Sequence, residues 1–232
     1  MEKLTTLALK LPRNTQVTPE AAKTFLSALI QINFISTFKK LFGTKRKPLA
    51  LEIALINQQI YFLITTDNEL IPFIETQITS NYPLAIIEKT KDPLEVISYN
   101  LVNIFLQKGN YYPIATFENF QEVDLLSSIL SVLAKSDPDE VTVIQYALES
   151  TNNSWQTKGA GFAKKGTKNP DGTYSPRFDL NIINEKISYP GFRCSIRIIS
   201  NANKTLNELS SAFGVFNRSD GNYFISQRPN FF

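Results

Sequence analysis

The 232-residue sequence predicts an α+β fold, and three observations carry that reading. Stretches of alternating apolar and polar residues, such as Leu49–Leu55, recur between stretches whose apolar residues fall every three or four positions, such as Ala22–Ile32. The order strand-helix-strand-strand-helix-strand is met twice along the chain. The apolar content, 43% of residues with 12% aromatic, suffices to bury a core under both copies.

The first copy covers residues 1–90. Leu7–Pro12 is its opening strand. Thr18-Pro19-Glu20 starts a helix, with Thr as N-cap and Pro in the first turn, and Ala22, Phe25, Leu26, Leu29 and Ile32 stripe one face. Leu49, Leu51, Ile53 and Leu55 alternate with Ala50, Glu52 and Ala54 in a second strand. Asn57-Gln58 turns the chain into a third, Ile60–Thr65. Asp67 caps a helix bearing Ile71, Ile74 and Ile78, which ends near Pro83, and Leu84–Ile87 closes the copy.

Residues 91–110 are expected as a linking helix, because Leu94, Ile97, Leu101, Ile104 and Phe105 keep helical spacing within Asp92–Lys108. The second copy covers 111–232. It comprises a strand at Tyr112–Phe117, a helix at Glu122–Lys135 with Leu126, Ile129, Leu130 and Leu133 on one face, and a strand at Val141–Leu148. Phe192, Cys194, Ile196 and Ile198 alternate in the next strand. Leu206, Leu209, Phe213 and Phe216 stripe a helix, and Tyr223–Ser226 ends the set. An insertion at about 150–190 interrupts this copy. Glu149–Pro190 is polar and rich in Gly and Lys around Gly159–Thr173, and it reads as a long loop. Each copy is then a split β-α-β, ferredoxin-like unit with an antiparallel sheet and two helices on one face, and the chain carries two in tandem.

Composition narrows the chemistry. There is no His, so nucleophile systems built on imidazole, a His general base and His metal ligands are all excluded. The single cysteine, Cys194, forms neither an internal disulfide nor a Cys-based zinc site. Carboxylates, Lys, Tyr and hydroxyls remain. Met1–Arg13 carries Glu2 and Lys10 and does not read as a signal peptide. The 15 uncharged residues Thr24–Phe38 fall short of the roughly 18 that a spanning helix needs.

The net charge of +3 conceals an asymmetry. Phe34–Pro48 holds Lys39, Lys40, Lys45, Arg46 and Lys47 without an acid, and Gln156–Lys168 holds Lys158, Lys164, Lys165 and Lys168 without an acid. Those nine of the 24 bases leave 15 against 21 acids elsewhere, so an acidic body carries two basic segments.

Each basic segment suggests a partner. In the first, Phe34, Phe38 and Phe42 with Lys39, Lys40, Lys45, Arg46 and Lys47 suit an interfacial helix on an anionic membrane surface; the plain alternative is an extended core helix followed by a solvated loop. In the second, Lys158, Lys164, Lys165 and Lys168 suit phosphate contacts to DNA, and Trp155 suits base stacking or burial as an anchor. Gly161–Lys168 approaches a phosphate-binding loop, but Thr167-Lys168 reverses the required order and no apolar strand leads in. Asp137, Asp139 and Glu140 read as an acidic turn at Pro138 rather than a cation site. The pair Asp171 and Asp179 lacks the Lys that a nuclease pattern needs.

Several short words, taken in order, carry a resemblance. They are Leu7-Ala-Leu-Lys-Leu-Pro-Arg-Asn14, Glu20-Ala-Ala22, Leu51-Glu52-Ile53, Ile60-Tyr61-Phe62, Gln77-Ile78 with Tyr82-Pro83, and Pro113-Ile114-Ala-Thr-Phe117-Glu118 with Phe120. Asp124-Leu125-Leu126-Ser-Ser-Ile129-Leu130, Ile144-Gln145, Trp155, Gly191-Phe192-Arg193 and Ile196-Arg197 continue the series. Together they resemble an N-terminal domain, of unknown function, in bacterial type IV secretion and conjugation-type ATPases of the HerA/FtsK-like group. In such proteins the domain follows a membrane-anchoring segment and precedes a P-loop motor.

The resemblance implies a non-catalytic assembly or adaptor role, with ATP hydrolysis belonging to a motor outside these 232 residues and no cofactor or catalytic residue in this region. It implies a cytoplasmic place at the inner face of the cell membrane. The expected partners are a motor ATPase domain, other secretion-system subunits or a second copy of the chain. The alternative from the residues themselves is a single-stranded nucleic-acid-binding module using the basic 156–168 segment.

Overall fold

The computed structural model describes residues 4–12, 18–32, 48–95, 98–120, 124 and 126–229 of the chain. Its first elements are β1 (Leu4–Lys10), α1 (Pro19–Ile32), β2 (Leu49–Ile56), β3 (Gln59–Asp67), α2 (Ile71–Asn81) and β4 (Ile86–Thr90). They are followed by β5 (Asn100–Leu106), α3 (Ser127–Ala134), β6 (Thr142–Ser150), α4 (Ser154–Lys164), β7 (Thr167–Lys168) and β8 (Tyr174–Ser175). The chain continues with α5 (Leu180–Ile187), β9 (Phe192–Ser200), α6 (Asn203–Ala212) and β10 (Phe224–Gln227).

Eight strands form one sheet in the order β10-β5-β9-β6-β2-β3-β1-β4, and every pairing in it is antiparallel. The α+β class is therefore the one expected. The first four strands fill one half and the last four the other, and β2 and β6 meet in the middle. The short β7–β8 hairpin stands apart from the sheet.

The alternation in β2 explains the layering. Successive side chains on a strand point to opposite faces, so Leu49, Leu51, Ile53 and Leu55 share one face. Leu49 packs with Phe25 and Leu29 of α1 and with Ile71, Ile74 and Ile78 of α2. Ile53 and Leu55 pack with Ile129 and Leu133 of α3 and with Leu206, Leu209 and Phe213 at α6. All four of these helices thus cover one face of the sheet. The seam continues the pattern, since β2 sets Leu49, Leu51 and Ile53 opposite Leu148, Tyr146 and Ile144 of β6. A fully buried side chain such as Ile144 or Leu206 contributes roughly 1.5–3 kcal/mol here.

The opposite face is lined at its centre by a smaller apolar cluster, Ala8, Ala54, Leu63, Val143 and Ile199. Leu94, in a 3-10 turn at Pro93–Glu95, packs over them as the chain passes from β4 to β5. Beside that apolar patch runs a polar row, with Asn103, Arg197, Gln145 and Glu52 in register across β5, β9, β6 and β2. Glu52 is 3% exposed and accepts hydrogen bonds from Thr65 Oγ1 at 2.9 Å and Gln145 Nε2 at 2.6 Å. Thr65 in turn pairs with Thr6 at 2.9 Å. Burial pushes the Glu52 carboxyl above its ordinary pKa, and the two donors only partly offset that.

Four expectations are corrected. Residues 91–110 do not form a linking helix: the segment holds the 3-10 turn and β5, paired on both sides by β9 and β10. Val102 and Ile104 also satisfy strand alternation, and both are buried against the helix layer. Tyr112–Phe117, expected as an opening strand, is irregular before a 3-10 turn at Phe117–Asn119, and the strand in this part of the chain is β5. The 150–190 insertion is not a loop but two helices and a hairpin. Asp67 is not a helix cap; it ends β3 and accepts from the Glu69 N–H, while α2 begins four residues later at Ile71.

Candidate functional site

The sheet contains two hairpins in equivalent places. β2 and β3 are joined by Asn57 and Gln58 alone, whose φ values of 49° and 59° suit a tight two-residue turn. β6 and β9 are joined by residues 151–191, although Ser150 still pairs with Phe192 at their base. This insertion is the most elaborate departure from the sheet.

Its inner side is closely packed. α4 turns Trp155, Gly159, Phe162 and Ala163 inward, at the helical spacing of one face. Gly159 is required there: a Cβ would stand 2.8 Å from Ile187 Cγ2 of α5 and 2.9 Å from Tyr111 Cβ. The Phe162 ring lies 4.7 Å from that of Tyr111, and the Arg177 guanidinium sits 4.1 Å over the Phe162 ring. Trp155 lies against Gly191. Gln156 Nε2 donates to the carbonyls of Ile187 at 2.8 Å and Tyr189 at 3.1 Å.

The insertion is tied down by charge. Arg177 donates from Nε to Asp179 Oδ1 at 2.7 Å and from Nη2 to Oδ2 at 2.8 Å, a two-pronged pairing. The Tyr112 hydroxyl donates to the same Oδ2 at 2.6 Å. The Asp179 side chain is 3% exposed, and the Arg177 hydrogen bonds hold its carboxyl below the ordinary range despite that burial. Burial and then Asp179 push the Tyr112 hydroxyl up. A second tie runs from Arg218 to Glu185 of α5 at 3.0 Å and to Asp220 at 2.7 Å.

Its outer side is different. Lys158, Gly161 and Lys164 of α4 are exposed, as are Lys165 after it and Lys168 of β7. Tyr174 of β8 is 63% exposed and Phe178 is 93% exposed. The insertion holds six bases, Lys158, Lys164, Lys165, Lys168, Arg177 and Lys186, against Asp171, Asp179 and Glu185. The acids are all engaged: Asp171 accepts from Thr173 N–H and Oγ1, and the other two pair with arginines. Among the described residues, Lys158, Lys164, Lys165 and Lys168 form no ion pair.

The four sequence-marked lysines are therefore all exposed, three of them on or just after α4 and Lys168 on the β7–β8 hairpin, while Trp155 is half-buried against Gly191. The membrane set Phe34, Phe38, Lys39, Lys40, Phe42, Lys45, Arg46 and Lys47 lies outside the described residues. Gly161 falls inside α4 and Gly166 after its end, so the glycines do not open a helix as a phosphate loop requires. The acidic turn is used internally, with Glu140 accepting from Thr205 Oγ1 at 2.6 Å. A groove of about 520 Å³ beside that turn sets Lys135 and Lys204 among Asp137, Glu140 and Glu208, a mixed lining with a single excess acid. Among the described residues no cluster of three acidic or thiol groups is placed to hold a metal ion, and no helix is long and apolar enough to cross a membrane.

Sequence reasoning missed the exposed aromatics Tyr174 and Phe178 and the Tyr112–Arg177–Asp179 anchor. The signal was the interleaving of aromatic and basic residues across 155–178. Comparison of the chain with protein-family models and with curated proteins returns no match.

Proposed function

We propose that the chain is a non-catalytic assembly module, two ferredoxin-like units fused edge to edge, which positions a nucleotide-driven motor at the cytoplasmic face of a membrane through protein–protein contacts. The tandem reading is supported by strand order: each half runs fourth-first-third-second when its own strands are counted along the chain. Each half also has a helix between its first and second strands and another between its third and fourth. The resemblance to conjugation-type ATPases supplies the motor.

The observation that carries the assembly reading is the pair of sheet edges. β4 and β10 end the sheet among the described residues. Leu84 and Ile86 at one edge and Phe105 and Ile225 at the other are exposed large apolar side chains. An edge strand offers unpaired backbone donors and acceptors, and apolar neighbours add area to a strand-addition contact.

The test is binding of the chain to the motor domain of a conjugation-type ATPase from the same cell, followed by sedimentation or interferometry. Ile86→Lys and Ile225→Lys place a charge on each edge without touching the core, and at least one is expected to weaken binding tenfold or more. ATP turnover by the chain alone, or motor binding indifferent to both substitutions, overturns the proposal.

A further inference from the structure

Independently of the sheet edges, we propose that the outer surface of the 151–191 insertion binds single-stranded nucleic acid, with phosphates on Lys158, Lys164, Lys165 and Lys168 and bases on Tyr174 and Phe178. The argument begins with helix geometry. At about 100° per residue, Lys158, Lys164 and Lys165 all fall within about 60° of Gly161 around the α4 axis. Lys165 keeps helical dihedrals, with φ −62° and ψ −22°, so the arc continues through it. Nothing lies within 4 Å of the place where a Gly161 Cβ would stand. Three ammonium groups thus bracket a strip of bare backbone that a polyanion can approach closely. The arc spans about 10 Å of helix axis, which matches about three stacked nucleotides at roughly 3.4 Å each.

Charge and rings act together on this surface. Its lysines have no acidic partner among the described residues, so a phosphate replaces water and counterions rather than an existing ion pair. Lys168 and Tyr174 are direct partners across the β7–β8 hairpin, which sets an ammonium group and an exposed ring on one face. Phe178 is 93% exposed yet follows Arg177, whose side chain is fixed by Asp179 and by the Phe162 ring. The backbone that carries the exposed ring is thus adjacent to an anchored residue. Exposed rings stack on unpaired bases of any sequence, whereas paired bases inside a duplex are closed to them. Lysines read phosphate and not base identity, so the expected binding is sequence-tolerant.

The experiment is fluorescence anisotropy of the full chain with a labelled oligothymidylate, a duplex of equal length and heparin, titrated with KCl. The chain is expected to prefer the single strand. The slope of log affinity against log salt is expected near −3, from about −0.7 for each of four phosphates. Replacing Lys158, Lys164, Lys165 and Lys168 with Ala together flattens that slope and lowers affinity at low salt at least tenfold. Tyr174→Ala with Phe178→Ala, the loss of two stacking rings, lowers single-strand affinity by about 30-fold or more, leaves the slope unchanged and spares heparin. All six positions are solvent-exposed, so a circular-dichroism spectrum matching the parent is expected throughout. No binding at low salt overturns the proposal. So does equal affinity for all three polyanions with no effect of the ring variants, and so does sedimentation with anionic vesicles in place of oligonucleotide binding. None of these outcomes bears on motor binding at the sheet edges.

Discussion

The turn between β2 and β3 and the insertion between β6 and β9 occupy the same place in the two halves of the sheet. One has two residues and the other 41. The strands flanking them keep the same register logic: Ile56 faces Gln59 at the base of one hairpin, and Ser150 faces Phe192 at the base of the other. The sheet therefore does not need the longer connection to close. What the longer one adds is a set of exposed lysines and rings held by its own anchors, so under the proposed binding role recognition sits on a loop position and stability in the strands.

Replacing residues 151–191 with Asn-Gly is the strongest way to break this comparison. A two-residue Asn-Gly turn suits the hairpin twist, so the sheet is expected to remain folded and to unfold cooperatively, while all binding to single strands is lost. Collapse of the shortened chain would show that the packing of Phe162 and Gly159 on Tyr111 is part of the core and not an addition to it.

The anchor comes next in size. Asp179→Ala leaves Arg177 and Tyr112 without their shared acceptor in a largely buried place, at a cost of about 3 kcal/mol to the insertion. Amide exchange is expected to quicken in α4 and α5 and to stay unchanged in β2 and β3. The same bond sets a pH dependence. The folded Asp179 has a depressed pKa, so its contribution is fully present above the unfolded value of about 3.9 and is lost as pH falls below it toward the folded value. The insertion should therefore loosen below about pH 4, and Asp179→Ala should shrink that step, leaving the part carried by the Arg218 tie to Asp220.

Much of the frame was legible in the residues and much of the insertion was not, for physical reasons. β2 alternates cleanly and carries its turn signal at Asn57, so its place and partner follow from sequence. β5 is ambiguous: Leu101, Ile104 and Phe105 fit a helix, and Val102, Ile104 and Leu106 fit a strand. The slot between β9 and β10 decides between them, and that slot is a tertiary fact. α4 is hidden because two of its residues are glycines and its buried face is only Trp155, Gly159, Phe162 and Ala163. A helix with so weak a stripe exists because Tyr111 and Ile187 come from elsewhere to cover it. The lysines stood out by charge alone, whereas Tyr174 and Phe178 gained meaning only once their exposure was known.

Those two glycines give a sharper comparison within one helix. Gly159→Ala gains about 1 kcal/mol of helix propensity but forces a methyl group against Ile187 and Tyr111, a crowding worth roughly 1–3 kcal/mol. A net loss of about 1 kcal/mol is expected. Gly161→Ala meets nothing and should stabilise α4 by up to about 1 kcal/mol. Helix-resolved amide exchange separates the two signs. Equal signs would mean that the inner face is not closely packed.

The smallest effect belongs to the short turn. Gln58 sits at φ 59°, in the left-handed region that costs an ordinary side chain and suits glycine. Asn57 before it already supplies the favoured first residue of a two-residue hairpin. Gln58→Gly relieves that strain but also frees the unfolded chain, and the second effect takes back part of the first. A gain of about 0.5 kcal/mol remains, which for a chain of this size raises Tm by about 1–2 °C. Among the described residues the Gln58 side chain makes no hydrogen bond that the change would remove, and the neighbouring Tyr61 hydroxyl donates to Gln59. Oligonucleotide affinity should not move, because this turn carries none of the lysines or rings. A change in affinity on Gln58→Gly would mean that the two hairpins are coupled through the sheet, and the division between framework and recognition surface would have to be withdrawn.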